Sequence, residues 1–296
     1  MPTRLELLVA RRFSLSRNAA QEAIRNGRVD LQGERCDNPG EVVEEDAQVE
    51  YFPNRPRARK VEGRLNVLFE DRHLLIVEKP AGVLTLPTQD RERGTLLERA
   101  SRYLTVRHGG RPYVGIVHRL DKETSGALVL ARSSKALRAL QEQFRAHDIE
   151  REYLAVVERR LQNDFGTIDR PIVSGGEELR RRVAHKPGEG RPAVTHYRVV
   201  ERFDTVATVL HCRLETGRTH QIRIHLASIG HPVVGDRVYR PKNQPQCQAK
   251  FRRQALHARS IGLRHPFTNE EIRAEVEPPG DLKGLISGLR GKYGSG

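Results

Sequence analysis

The sequence predicts an α+β protein of two domains, and three observations carry that expectation. The 296 residues exceed what one small core needs. Apolar residues recur at helical spacing in a short N-terminal stretch and then, past a segment rich in proline and arginine, mainly in runs of strand length. No stretch repeats an earlier one, which excludes a solenoid.

Leu5, Leu8 and Val9 share one helical face. A second stripe runs through Leu15, Ala19, Ala23 and Ile24, with Ser16 placed to cap its start and Gly27 to end it. Val29 and Leu31 then alternate as a strand, Gly33-Glu34 turns the chain, and Ala47–Tyr51 forms another strand. The first domain is therefore expected over residues 1–60, its end from about 53 being the segment Pro53–Lys60, with two prolines and four positive charges. Arg11, Arg12, Arg17, Arg25 and Arg28 surround the helix pair and are its candidate RNA contacts, with an ordinary solvated face as the alternative.

The second domain is expected over residues 61–296. Strands are expected at Leu65–Phe69 and Leu74–Val77, separated by a polar turn, followed by a helix over Thr95–Leu104 and a strand over Tyr113–Val117. The polar loop His118–Gly126 leads into the apolar run Ala127–Ala131, and Ser134 is placed to cap a helix from about Lys135 to Ala146. Further strands fall at Tyr153–Val157, His196–Glu201, Val206–Arg213, Leu256–Leu263 and Glu271–Val276. Gly175–Arg191, with six basic residues counting His185, is expected as a mobile exposed loop or ribbon that reaches phosphate. Thr219 precedes a helical stripe of Ile222, Leu226 and Ile229 that Gly230 can end.

With 52 Lys+Arg against 38 Asp+Glu, the net charge of +14 favours contact with phosphate backbones or an anionic membrane surface. Residues 1–60 hold 11 basic and 10 acidic side chains, so nearly the whole excess belongs to the larger domain. No apolar run is long enough for a membrane helix and the start lacks a signal-peptide core, which predicts a cytoplasmic protein with no membrane partner. Cys36, Cys212 and Cys247 stand apart without a CxxC, which supports neither a disulfide framework nor a zinc knuckle.

Among residues able to carry chemistry, Asp121 stands out: a carboxylate in a Gly- and Ser-bearing loop between two buried strands has a rigid support and an open approach. His118 and Asp121 alone are too few ligands for zinc, and no metal site is expected. Arg119, two residues from Asp121, shares its face if the stretch is extended, so it can pair with the carboxylate or enter a space left by a base. His118 is expected as a structural hydrogen-bonder. Tyr153 opens an apolar strand, and Arg223 sits on a helix between Ile222 and Leu226, where a cation needs some carboxylate to answer it. At this level the bland alternatives stay open: a turn-capping aspartate, a core tyrosine, a solvent-facing arginine.

The block Gly115-Ile-Val-His-Arg-Leu-Asp-Lys-Glu-Thr-Ser-Gly126 resembles the hallmark motif of the RluA-type pseudouridine synthases. Val77–Gly82, Arg151–Ala155, Gly217–Leu226, Gly235-Asp236, Ala255–Ala258 and His265-Pro266 are similar to further family blocks in the same order. Residues 1–60 resemble an S4 RNA-binding domain through Leu15-Ser16-Arg17, Ile24–Val29 and Asp46–Val49, although Gln32-Gly33 replaces the usual Asn-Gly at the strand turn and Glu45-Asp46 the usual Gly-Asp.

The resemblance implies an S4-like domain joined to a catalytic domain on a mixed, mainly antiparallel sheet flanked by helices. It implies an isomerase that detaches uracil N1 from C1′ and rejoins it through C5, without a cofactor. Carried over to this chain, Asp121 is the catalytic carboxylate, Tyr153 lies against the base with its hydroxyl near C5, and Arg223 pairs with Asp121. Arg119 fills the space of the flipped uridine, and Ile222 and Leu226 pack near the site. The substrate expected is structured RNA, first 23S ribosomal RNA and second transfer RNA, with no obligatory protein partner. Two rivals are a nonenzymatic RNA-binding protein on this fold and a nuclease, for which convergent carboxylates or paired histidines would be needed.

Overall fold

The computed structural model describes residues 2–26, 28–36, 39–54, 65–88, 93–174, 181–241 and 248–294. Gly27, Cys247, most of the segment Pro53–Lys60 and residues 175–180 of the expected ribbon lie outside them. The chain forms two compact units, Met1–Gly63 and Arg64–Gly296.

In the N-terminal unit, a short strand β1 (Pro2–Arg4) leads into helices α1 (Leu5–Arg12) and α2 (Arg17–Arg25). The Ser16 hydroxyl accepts from the Ala19 amide at 3.2 Å, the expected cap. With the helix starting there, Ala20, Ala23 and Ile24 turn inward, and Ala19 is exposed rather than part of the buried stripe. Strands β2 (Val29–Leu31), β3 (Glu34–Cys36), β4 (Val42–Glu44) and β5 (Val49–Tyr51) follow, with β2 central between β3 and β5 and β4 paired to β1. Leu5, Val9, Ile24 and Val29 lie in the core of this unit. The β2–β3 turn has positive φ at both Gln32 and Gly33, so the glutamine adopts the left-handed conformation that an asparagine takes more readily.

The larger unit opens with β6 (Asn66–Glu70), β7 (Leu74–Lys79), α3 (Leu96–His108), β8 (Gly115–Ile116), β9 (Ser125–Ala131) and α4 (Ser134–Ala146). Then come β10 (Glu150–Glu158), β11 (Phe165–Asp169), β12 (Ile172–Val173), β13 (Arg182–Val183), β14 (Val194–Phe203) and β15 (Ala207–Leu214). The last elements are α5 (Gln221–Ser228), β16 (Leu256–Arg264), β17 (Glu271–Glu275) and α6 (Gly280–Tyr293).

Ten of these strands build one sheet along the path β11-β14-β15-β10-β16-β9-β7-β6, with β17 added to β16 and β8 to β9. Every pairing in it is antiparallel except β16 with β9. Both faces are covered where β7 and β9 lie: Leu75, Val77, Leu128 and Leu130 pack in the same core as Leu96, Ala100 and Leu104 of α3. Leu74, Ile76, Ala127 and Val129 pack with Ala136 and Leu140 of α4 on the opposite side. Two covered faces explain why β7 and β9 read as unbroken apolar runs.

Three local expectations are corrected. The strand over Tyr113–Val117 shortens to Gly115–Ile116, because β8 meets only Ala131 and Leu130 at the end of β9. The cap of α4 is Ser133, whose hydroxyl accepts from the Ala136 amide at 3.1 Å, and Ser134 is the first helical residue. Ile229, expected within the helical stripe, stands just past α5 as its C-cap, and His220 at the helix start lies in the left-handed region at φ 61°. The described part of the expected ribbon includes β13, which pairs with β12.

Candidate active site

The parallel junction between β9 and β16 fixes the place of Asp121. Gly126, at φ +123°, lets the start of β9 press onto β16, for a Cβ there would stand 2.0 Å from the Ala258 carbonyl oxygen. The loop before it, 117–124, is bonded at successive carbonyls. Leu120 accepts from the Thr85 hydroxyl at 3.0 Å, Asp121 from the Thr124 amide at 3.1 Å, and Glu123 from Arg253 Nη1 at 3.0 Å. Lys122 accepts from the Gly82 amide at 2.9 Å and from Lys79 Nζ at 3.0 Å. A carboxylate on a backbone held at four consecutive residues is preorganised before any substrate arrives.

Lys79 is fully buried, and its ammonium also donates to the Pro80 and Val83 carbonyls at 3.0 and 2.7 Å. Burial pushes it down to about 7, against the opposing pull of Asp121.

Arg223 reaches the same point from α5. Its Nη1 donates to Asp121 Oδ2 at 3.0 Å, while Nε and Nη2 grip both oxygens of Asp236 at 2.6 and 3.0 Å. Burial opposes the guanidinium charge, but the hydrogen bonds and charges of Asp236 and Asp121 outweigh it and raise its pKa. Burial likewise opposes the Asp236 carboxylate, and the bonds from Arg223 with the backbone N–H groups of Tyr239 and Val238 hold it below its usual range. Asp236 thus anchors the cation that aims Asp121, while Asp121 keeps 19% of its side-chain surface open.

His220 completes the ring of contacts. Its Nε2 lies 3.7 Å from Asp121 Oδ1, and its Nδ1 bonds the Tyr239 hydroxyl at 2.8 Å, with the Tyr239 ring 5.0 Å beneath the Arg223 guanidinium. Burial lowers the His220 pKa despite the pull of Asp121. The buried Gln221 amide ties the helix start to its surroundings, accepting from the Thr216 hydroxyl and the Arg218 amide at 2.9 Å each and donating to the Val194 carbonyl at 2.9 Å.

Above Asp121 lies a small pocket of about 60 Å³ walled by Arg119, Leu120, Tyr153, His220, Ile222 and Arg223, among others. Tyr153 is 7% exposed, and burial, opposed by Arg151 and reinforced by Asp121, raises its phenol above the usual range. At neutral pH it is therefore a protonated aromatic wall, suited to stacking and unsuited to accepting a proton. A pinned carboxylate beside an aromatic wall can act on an atom brought to it while a planar group lies against the ring.

The RNA pseudouridylate synthase family model matches residues 73–228, more than half of the chain and including both Asp121 and Arg223. The chain belongs to the RNA pseudouridylate synthase family. Members are isomerases that convert uridine to pseudouridine in RNA, and residues 3–49 match the S4 domain as well. The ribosomal large subunit pseudouridine synthase D of Xanthomonas campestris is 41% identical over 300 residues, spanning 97% of this chain and 89% of that protein. The protein of the same description from Escherichia coli K12 is 38% identical over 98% of this chain and 91% of its own. The solved structure of human RNA pseudouridylate synthase domain containing 4 superposes with a TM-score of 0.64 at 25% identity, covering 76% of this chain and 93% of that one.

Within this synthase fold, the residues singled out in the sequence divide into groups. Asp121, Tyr153, Arg223, Arg119 and Ile222 meet at the small pocket, with Arg119 exposed on its wall and no ion pair between it and Asp121 among the described residues. Leu226 is fully buried in the core, one turn beyond Ile222, and is not among the pocket walls. His118 accepts from the Val129 amide at 3.2 Å and stacks near Phe144, burial pushing it down to about 3.

In the N-terminal unit, Arg11 pairs with Glu45 at 2.9 Å, Arg12 donates to the Ala47 and Glu45 carbonyls at 2.7 and 2.9 Å, and Arg17 pairs with buried Glu6 at 2.5 Å. Arg28 is half-buried at the head of β2, and the Arg25 side chain lies outside the described residues.

Sequence reasoning gave no role to Asp236, His220 or Lys79. Each lies inside a block already noted, so the signal was present; what it lacked was the fold that brings residues 79, 121, 223 and 236 together.

Proposed function

We propose that this chain isomerises a specific uridine of large-subunit ribosomal RNA, with Asp121 as the catalytic carboxylate. The observation that carries the reading is the bridge Asp121–Arg223–Asp236 beside the Tyr153 wall. The carboxylate engages the ribose, either by adding to C1′ or by removing the 2′ proton, while N1 departs from C1′. The uracil turns against Tyr153, and C5 bonds to C1′ as the carboxylate leaves that carbon or, on the other route, as the proton returns to C2′; the C5 proton then leaves and N1 gains one, so no external reagent is consumed. Arg223 aims Asp121, Arg119 fills the place of the extruded base, and Ile222 closes the slot.

The ribosomal target follows the descriptions of the relatives, which cover nearly the whole chain at 38–41% identity. We place the site in 23S RNA at a loop, bulge or junction, where extrusion costs least. The test is carbodiimide mapping of pseudouridine in total RNA from cells with and without the gene. One or a very few sites in 23S RNA should disappear; loss confined to transfer RNA would overturn the target and keep the chemistry, and no change would sink both.

A further inference from the structure

A second cavity, of about 450 Å³, adjoins the small pocket and shares Arg119, Asp121, Tyr153, Arg218 and His220 with it. Its walls carry four arginines, Arg119, Arg145, Arg151 and Arg218, against one carboxylate, Asp121, whose nearer partner is already Arg223. Arg145 is answered by Glu142, but Arg119, Arg151 and Arg218 have no carboxylate within ion-pair distance among the described residues, so the basin repels cations.

Arg151 is its deepest and least satisfied member. It is 6% exposed, lies on the same face of β10 as Tyr153, and has no carboxylate within ion-pair distance among the described residues. Its Nη2 donates to the Glu215 carbonyl at 3.1 Å and weakly to that of Leu214 at 3.4 Å, and its guanidinium stacks 5.2 Å from the centre of the Phe144 ring. Its Nε is buried without a partner, and Nη1 makes no hydrogen bond among the described residues. At Gly217 a Cβ would stand 2.8 Å from Nη1, so the glycine keeps the 214–220 loop clear of this donor. An uncompensated buried cation is costly, and a fold retains one where an anion arrives to answer it.

We propose that the larger cavity is a phosphodiester subsite, in which Arg151 binds a phosphate adjacent to the reacting uridine while Arg145 and Arg218 hold the mouth. The inference rests on the synthase reading above: with the ribose at Asp121 and the base against Tyr153, the phosphates on either side must leave the small pocket, and the adjoining basin is cationic. A guanidinium whose Nη1 makes no bond suits a phosphate oxygen better than it suits an apolar base face.

The test uses the full chain and a synthetic 23S stem–loop bearing the mapped uridine, with an uncharged methylphosphonate placed at one linkage at a time. Affinity and pseudouridine formation are measured in parallel. At one linkage next to the target, methylphosphonate weakens wild-type binding about 30-fold, Arg151→Met weakens binding to the natural RNA equally, and the two together cost about 30-fold rather than their product. The salt dependence of Arg151→Met is also shallower by about one unit of log affinity per log salt, which loss of packing alone would not produce. Arg151→Lys, which keeps the cation, recovers part of the affinity, and it carries the test if the methionine variant fails to fold. Losses that multiply at every linkage overturn the subsite. Coupling without any pseudouridine from the wild type would uphold the subsite and overturn the synthase reading instead.

Discussion

Arg12 in the N-terminal unit and Arg151 in the catalytic unit make the same pair of bonds, each donating to two backbone carbonyls. They differ in what surrounds the rest of the guanidinium. Arg12 is exposed, so water satisfies its remaining donors, and its charge sits near Glu45 in a unit whose charges nearly cancel. Arg151 is enclosed, with a buried nitrogen left without a partner. The difference teaches that an arginine count locates no binding site; the donors left unsatisfied after folding do. Arg223 marks the opposite extreme, with all three nitrogens committed to two carboxylates.

The sharpest way to break this ordering is at the carboxylate itself. Asp121→Asn keeps the size and the contact with Arg223 but removes the charge, and pseudouridine formation should fall by at least about 10³-fold while RNA affinity stays within about threefold. Product yield at the wild-type rate would remove Asp121 from the chemistry. Arg223→Met comes next. It leaves Asp121 and buried Asp236 without the cation between them, and we expect turnover to drop about 10²-fold with a loss of about 3 kcal/mol in unfolding free energy. Unchanged turnover in the folded variant would mean that the bridge does not aim the carboxylate.

Much of this arrangement was legible in the sequence, and the reasons for the gaps are physical. The helices α2 and α4 announce themselves by spacing and a nearby serine, because local hydrogen bonding decides them, while α1, whose N-cap Arg4 makes no side-chain bond, announces itself by spacing alone. Helix α6 gave no such signal: Gly280, Gly284, Gly288 and Gly291 lower its intrinsic propensity, and it is held by buried Leu282 and Leu289 and by ion pairs of Asp281 with Arg253 and Arg290 with Glu201. Chemistry alone required a carboxylate for Arg223 without naming it, since Asp121 lies 102 residues away and Asp236 lies 13 away. Such partners are set by the sheet order, which no local pattern encodes.

Lys79 tests the intermediate case, a buried cation whose bonds all go to carbonyls. Burial holds it near 7, so above that pH the unfolded chain keeps a proton that the folded chain has shed. Stability from this group is therefore flat below about pH 7 and rises with pH between there and the ordinary lysine range. Taking wild type minus Lys79→Met cancels the other titrations. That difference in unfolding free energy should climb by up to about 1.4 kcal/mol per pH unit above pH 7. A flat difference from pH 6 to 9 would show that the three carbonyls hold the ammonium charged throughout.

The smallest effect belongs to Arg12, and it sharpens the comparison because it sets the N-terminal arginine against the buried one. Its two bonds secure the Glu45 and Ala47 carbonyls beside the turn between β4 and β5, so Arg12→Ala removes a local brace as well as a charge. An exposed cation whose bonds already go to backbone carbonyls contributes little to binding, and we expect RNA affinity to change by less than about threefold. Deleting residues 1–63 should cost more, about tenfold in affinity, because it removes a self-contained unit with the S4 match rather than one solvated charge. Measured on one stem–loop, the order should be Arg151→Met, then the deletion, then Arg12→Ala. If Arg12→Ala instead equals the deletion, the N-terminal unit grips RNA through this one guanidinium, and exposure would be a better guide to the footprint than unsatisfied donors.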